Sequence, residues 1–350
     1  MTADEASTGI PWRMAWELLR ALPEKRNEVL AVLNGAVGDR LEQQRSPLRT
    51  SMRLLVHGRE LDLEGDLRGQ LEGVRPRVLV LAHGFMCTES IWTFPNGKGR
   101  SFGERLAEDV GVTPVYVRYN SGRHISVNGR ELAHALERLF AVWPVPVEEV
   151  NVMGYSMGGL VTRSATHYAE EAGHRWLALT ERLFLLGVPM RGLTFEQLMG
   201  ASSFILRTIP TPVTRITAWV LNQRSAGVKD LRHGYIVDEE WQDQDVDRFT
   251  FGRQHTVPLA RGVHHYVVAG NLAGHEHHPL AKFLGDALVT PYSAKDEGFT
   301  GTPSARAAHA TRVFDGLSHM AIVNHDAVYD QILRWWLYGP PGLPCESADA

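Results

Sequence analysis

The chain has 350 residues, 44% hydrophobic and 22% charged, with a formal net charge of −4. This is ordinary globular composition, sufficient for a large core and for one domain with an insertion. It holds neither a basic run that would point to nucleic acid nor an acidic tail that would point to disorder, and its two distant cysteines, Cys87 and Cys345, exclude a disulfide framework.

Residues 11–45 read as helical with a break near Pro23, since Val29, Leu30, Val32 and Leu33 recur at helical spacing while Gly35 and Gly38 loosen the pattern. From Met52 to Leu71 polar and apolar residues alternate, with Leu61, Leu63 and Leu67 set among charges and glycines, which predicts a hairpin of exposed strands. Residues 1–77 thus form an N-terminal extension that reads as structural. The rhythm then changes. Val78 to Ala82 is a short apolar run of the kind buried on both faces of a sheet. A helix follows over 101–110 and a strand over 112–119. Asn128 with Glu131 resembles an N-cap and its reciprocal partner, opening a helix to about Val142. Strands at 150–153, 183–187, 263–269 and 311–314 alternate with helices at 157–172 and 325–338. The alternation predicts an α/β fold, a mostly parallel central sheet with helices on both faces. Residues 78–189 and 263–340 form its core, and 341–350 a tail.

Residues 190–262 interrupt the alternation. Ile216, Trp219 and Val220 share one helical face, near Phe204, Ile205, Ile209 and Val213, with Arg207 and Arg215 among them. Two readings stand: a helical cap or lid offering apolar surface to a ligand, or a face packed on the core. No apolar run reaches the roughly 18 residues of a membrane-spanning helix. The Met-Thr-Ala-Asp-Glu start lacks the charged and apolar regions of a secretory signal. A cytoplasmic protein without an integral membrane segment is expected.

Gly154-Tyr155-Ser156-Met157-Gly158-Gly159 matches G-x-S-x-G between a predicted strand and a predicted helix, the context that this pattern requires. A serine hydroxyl becomes a nucleophile only when exposed and served by a base. A sharp strand-to-helix turn lifts it out of the sheet, flanking glycines let strand and helix approach, and the helix N-terminus favours developing negative charge. Ser156 is the candidate nucleophile. The alternative is a glycine-rich turn carrying an incidental serine.

Acyl transfer needs two N–H donors at the oxygen that turns negative. The Met157 amide, directly after the nucleophile, is one; the loop His83-Gly84-Phe85-Met86 after the first core strand offers the other, with Phe85 preferred and Met86 second. His83 is expected to support this loop. Met86, Tyr155 and Met190 are assigned to substrate contact. Position selects the base from 16 histidines. His319, in Gly316-Leu317-Ser318-His319-Met320 after the last strand, is the choice; His325, at the start of the closing helix, and His309, before the last strand, are rivals. The chain order serine, acid, histidine places the acid at Asp286 in Gly285-Asp286-Ala287-Leu288-Val289, with Asp296 and Glu297 as rivals and a turn-capping aspartate as the plain reading.

These motifs resemble the bacterial lipase/esterase branch of the α/β-hydrolases, and within it the lipases similar to GPI inositol-deacylases. The resemblance covers about residues 78–337 and rests on His83-Gly84-Phe85, the Ser156 hexapeptide, Gly285 to Val289 and Leu317-Ser318-His319-Met320. It departs at Ala287, where such families carry a second glycine, and in Gly187-Val188-Pro189-Met190-Arg191-Gly192, where Val188 and Met190 replace the threonine and histidine of a similar loop. The resemblance implies an α/β-hydrolase fold and hydrolysis of small acyl or lipid-like esters by a Ser156–Asp286–His319 triad without a cofactor. Two alternatives stand beside it: acyl transfer to an alcohol on the same triad, and a catalytically silent protein holding a hydrophobic ligand. A metal hydrolase built on His275, His277, His278, His264 and His265 is a weaker one, since adjacent His277 and His278 cannot easily share an ion and no His-Glu-x-x-His is present. Arg118 to His124 follows a strand end where ligands collect, so Arg123 or His124 could touch substrate, but solvated turn charges are the plainer reading.

Overall fold

A computed structural model describes residues 12–95, 99–190, 192–193, 224–242, 257–271 and 309–339. The N-terminal helices are α1 (Trp12–Ala21) and α2 (Arg26–Gln43), parted by a 3-10 turn at Pro23–Lys25. A hairpin β1 (Arg53–Val56) and β2 (Arg59–Glu60) and a short helix α3 (Leu67–Gln70) follow. Then come β3 (Arg77–Ala82), α4 (Phe102–Val110), β4 (Thr113–Arg118), α5 (Ile125–Ala141), β5 (Glu149–Tyr155), α6 (Met157–Ala172), α7 (Arg175–Ala178) and β6 (Thr180–Leu186). The remaining elements are α8 (Ala226–His233), β7 (His264–Asn271), β8 (His309–Asp315), α9 (His319–Ile322) and α10 (Asp326–Tyr338).

Among the described residues eight strands form one sheet in the order β2-β1-β4-β3-β5-β6-β7-β8. Strands β3 to β8 are mutually parallel, and β1 alone runs against them, pairing antiparallel with both β4 and β2. Side-chain parity divides the core into two layers. Val78, Val80, Val150, Val152, Leu183 and Leu185 face α2, α5 and α6. Leu79, Leu81, Met153, Phe184 and Val268 face α4 and α10. Both faces are covered, which is why the central strands read as unbroken apolar runs.

Local signals set some boundaries. Ser101 and Glu104 form a complete capping box that starts α4. Two expectations are corrected. The hairpin is exposed only in its outer strand β2: β1 pairs with β4, and its Leu54, Leu55 and Val56 are buried because β1 is part of the main sheet. Asn128 does not cap α5, which begins three residues earlier. The group at its start comes from far along the chain: Asp230 Oδ2 accepts the Ile125 N–H at 2.7 Å, and Asn128 instead donates to Asn120 O at 2.9 Å. A cap delivered by tertiary contact leaves no trace in local spacing.

Within the 190–262 segment, α8 packs on α2 and α5. Phe204, Ile205, Ile209, Val213, Ile216, Trp219 and Val220 lie outside the described residues. No helix among the described residues is long and apolar enough to cross a membrane.

Candidate active site

Parallel strands deliver their C-terminal ends to one edge of the sheet, where ligands collect in such folds. The loop after β3, the turn after β5 and the loop after β8 all leave from that edge.

Ser156 occupies the turn between β5 and α6 with φ 53° and ψ −123°. A non-glycine side chain persists there only when its surroundings over-determine it. Two bonds do so: the Ser156 N–H donates to Leu186 O at 2.8 Å, and Ser156 O accepts the Gly159 N–H at 3.0 Å. The turn also needs close approach. A Cβ on Gly158 would lie 2.3 Å from Ala82 O and 2.4 Å from His83 O, both backbone atoms. Strand, nucleophile and helix N-terminus therefore stand together, with the start of the 16-residue α6 behind the hydroxyl.

The His83–Cys87 loop lies against this turn. A Cβ on Gly84 would be 3.2 Å from Ser156 Cβ. His83 Nδ1 donates to Gly84 O at 2.8 Å and the ring stacks on Tyr119, centroids 4.4 Å apart. Burial pushes His83 down to about 4, so it stays neutral near pH 7 and supports the loop. The Met86 N–H donates to Ser121 Oγ at 3.1 Å and the Cys87 N–H to Gly84 O at 3.2 Å.

His319 is the first residue of α9, which Ser318 caps by accepting the Ala321 N–H. Its ring is buried, stacks on Tyr155 at 5.0 Å, and lies so close to Gly187 that a Cβ there would be 2.9 Å from Nδ1. Gly187 directly follows Leu186, the acceptor of the Ser156 N–H. Nucleophile, loop and histidine thus share one patch of the sheet edge. Burial pushes His319 down to about 4. Its Nδ1 is buried without a hydrogen-bond partner among the described residues. Asp286, Asp296 and Glu297 all lie outside them.

The rival histidines are placed elsewhere. His325 Nδ1 accepts the Ala327 N–H at 3.1 Å as the cap of α10, and His309 begins β8, at the strand end away from the site. Tyr155 is 1% exposed and gives its hydroxyl proton to His319 O at 3.2 Å, so it packs beneath the histidine. Met86 is buried and Met190 half-buried. Arg118 pairs with Glu89 and Arg123 with Glu131. Arg123 also lines a cavity of about 520 Å³ between the β1–β2 hairpin and α5. His124 Nδ1 lies 3.0 Å from both Asp230 carboxylate oxygens, and its ring stacks on Trp241. Sequence reasoning missed Ser121 and Asp230, because neither sits in a recognisable motif and their partners are remote. Among the described residues no group of three metal-binding side chains occurs; His275, His277 and His278 lie outside them.

The neutral, buried His83 carries a pH dependence. Its folded value near 4 lies below the ordinary 6.5, so the unfolded chain takes up a proton first as pH falls. Stability present above pH 6.5 is then lost progressively toward pH 4, about 2 kcal/mol by pH 5. Urea unfolding at pH 7 and pH 5 measures this; equal midpoints at the two pH values would contradict it.

No family model matches the chain, and no curated protein matches it in sequence. Solved structures do resemble it. The Bacillus licheniformis lipase BlEst2 in mature form is 19% identical, over 73% of this chain and 91% of that one, with a TM-score of 0.45. The hyperthermophilic esterase from Pyrobaculum calidifontis is 13% identical over 93% and 97%, with a TM-score of 0.45. The lipase-esterase related protein from Clostridium acetobutylicum ATCC 824 is 12% identical over 81% and 98%, with a TM-score of 0.40. The architecture is an α/β fold, an eight-stranded, mostly parallel sheet flanked by helices with a strand–serine–helix turn at its centre.

Proposed function

We propose that this chain is a serine hydrolase of small or lipid-like carboxylic esters, with Ser156 as nucleophile, His319 as base, Asp286 as the orienting acid, and the Phe85 and Met157 amides as the oxyanion hole. The observation that carries the reading is the backbone of Ser156, held at φ 53° between β5 and the N-terminus of α6. A fold keeps a serine in that conformation at a cost of about 1–3 kcal/mol, and the return is a hydroxyl set at the N-terminus of α6, buried at the catalytic edge of the sheet.

Ser156 Oγ attacks the ester carbonyl carbon while its proton passes to His319. The carbonyl oxygen takes up negative charge against the Phe85 and Met157 N–H groups. The carbon–oxygen bond to the alcohol breaks, and His319 returns the proton to the departing oxygen. Water then attacks the acyl-serine, losing a proton to His319, and the acid is released with Ser156 regenerated. The buried, unpartnered His319 Nδ1 fits a site for a carboxylate. The Met86 amide is already engaged by Ser121, which favours Phe85 within its loop. Met86 and Met190, with Tyr155 packed behind His319, border the acyl side. A 190–262 lid offering the apolar side chains Ile216, Trp219 and Val220 to substrate favours medium or long acyl chains over acetate.

A fluorophosphonate probe should label Ser156, and p-nitrophenyl esters should be turned over faster as the acyl chain lengthens from acetate to octanoate. Absence of labelling in the folded protein would overturn the enzyme reading in favour of a hydrophobic-ligand carrier. Acetate turned over as well as octanoate would overturn the chain-length part alone.

A further inference from the structure

Resting on the reading above, we infer that Ser121 is a positioning residue for the oxyanion hole, clamped between the N-terminal helix α2 and helix α8. The aim of the Phe85 N–H depends on two consecutive peptide planes. In a planar trans peptide the C=O and N–H point opposite ways. Gly84 O receives two donors, His83 Nδ1 at 2.8 Å and the Cys87 N–H at 3.2 Å, which turns the Phe85 N–H away from them. The next plane is held at both ends as well: Phe85 O accepts Cys87 Sγ–H at 3.3 Å, and the Met86 N–H reaches Ser121 Oγ at 3.1 Å. Met86 has φ 58°, a left-handed conformation that a side-chain-bearing residue leaves unless something holds it. Among these four bonds the Ser121 bond is the one that ties the turn to a different element.

Ser121 is itself fixed from two sides. The β4–α5 loop that carries it is tied to α2 by Asn120 Nδ2 donating to Gly38 O at 3.0 Å. It is tied to α8 by the Gly227 N–H donating to Gly122 O at 3.0 Å. The contacts leave no space for side chains. A Cβ on Gly35 of α2 would meet Met86 Cγ at 2.4 Å and Ser121 Oγ at 3.3 Å, and one on Gly227 would meet Ser121 O at 2.1 Å. The two outer helices further share Ser225 Oγ, which donates to Gly35 O at 2.7 Å. The N-terminal extension therefore reaches the catalytic edge, and the turn over Ser156 is buttressed by segments far outside the core sheet.

The test is steady-state kinetics of full-length Ser121→Ala on p-nitrophenyl butyrate, with the fluorophosphonate labelling rate measured in parallel. Ser164→Ala is the structural control: its buried hydroxyl donates to Ile236 O at 2.6 Å, away from the turn. Loss of the positioning bond should lower kcat and labelling rate about 10- to 100-fold with KM within twofold, the range of a misaimed oxyanion donor. Ser121→Thr, which keeps an acceptor oxygen, should recover most of that loss, and Ser164→Ala should lower melting temperature without moving kcat. Should Ser121→Ala not fold, Gly35→Ala, which pushes Met86 from the α2 side, is read for the same kcat loss. Full kcat in the folded variant, or a loss matched by Ser164→Ala, overturns the inference. If the unaltered chain neither labels at Ser156 nor cleaves any ester, the underlying reading fails and takes this one with it.

Discussion

Ser156→Ala should lower kcat/KM for esters about 10⁴-fold or more and abolish fluorophosphonate labelling, while the protein stays folded. The hydroxyl supplies the only bond-forming atom of the proposed first step, so its loss is not compensated by the remaining groups. A second variant separates chemistry from backbone. At φ 53° and ψ −123° a Cβ is unfavourable and glycine is at ease. Ser156→Gly should be as inactive as Ser156→Ala but melt at an equal or higher temperature, since relief of about 1–3 kcal/mol of strain offsets the extra freedom of glycine in the unfolded chain. A Gly variant that melts several degrees below the Ala variant would mean that the turn is not strained. Substantial ester turnover by either would remove Ser156 as nucleophile.

Gly158→Ala should be among the most damaging single-methyl additions in the chain. The new Cβ would meet Ala82 O and His83 O at 2.3 and 2.4 Å. These are main-chain atoms of β3 and its exit, held by pairing with β4 and β5, so neither can rotate away. Separating α6 from β3 would open the core and tilt the Met157 amide. A loss of about 3 kcal/mol or more is expected, together with activity. Gly69→Ala is the contrast: it lies in the short helix α3 with open space around its Cα, where alanine should be neutral or stabilise by up to about 1 kcal/mol. Chemical denaturation of both variants tests the pair, and a Gly158→Ala midpoint close to that of the unaltered chain would contradict the close approach.

The amino-acid order alone determined the alternation of buried strands and helices, and it marked the serine turn and the His-Gly loop as neighbours at one edge. Short apolar runs such as Val78 to Ala82 exist because a doubly covered sheet demands them, and the Gly158 contact demands the absence of a side chain; both requirements act locally and are written locally. Three things were decided only in three dimensions. The start of α5 depends on Asp230, a carboxylate 105 residues away. Leu54 to Val56 of the hairpin are buried because β4 pairs with β1. The N-terminal helix, whose Gly35 and Gly38 merely weakened a helical pattern, uses those bare positions to reach the loop around Ser121. Periodicity reports which face of an element is covered, whereas a contact between remote segments depends on distances that no single stretch of sequence carries.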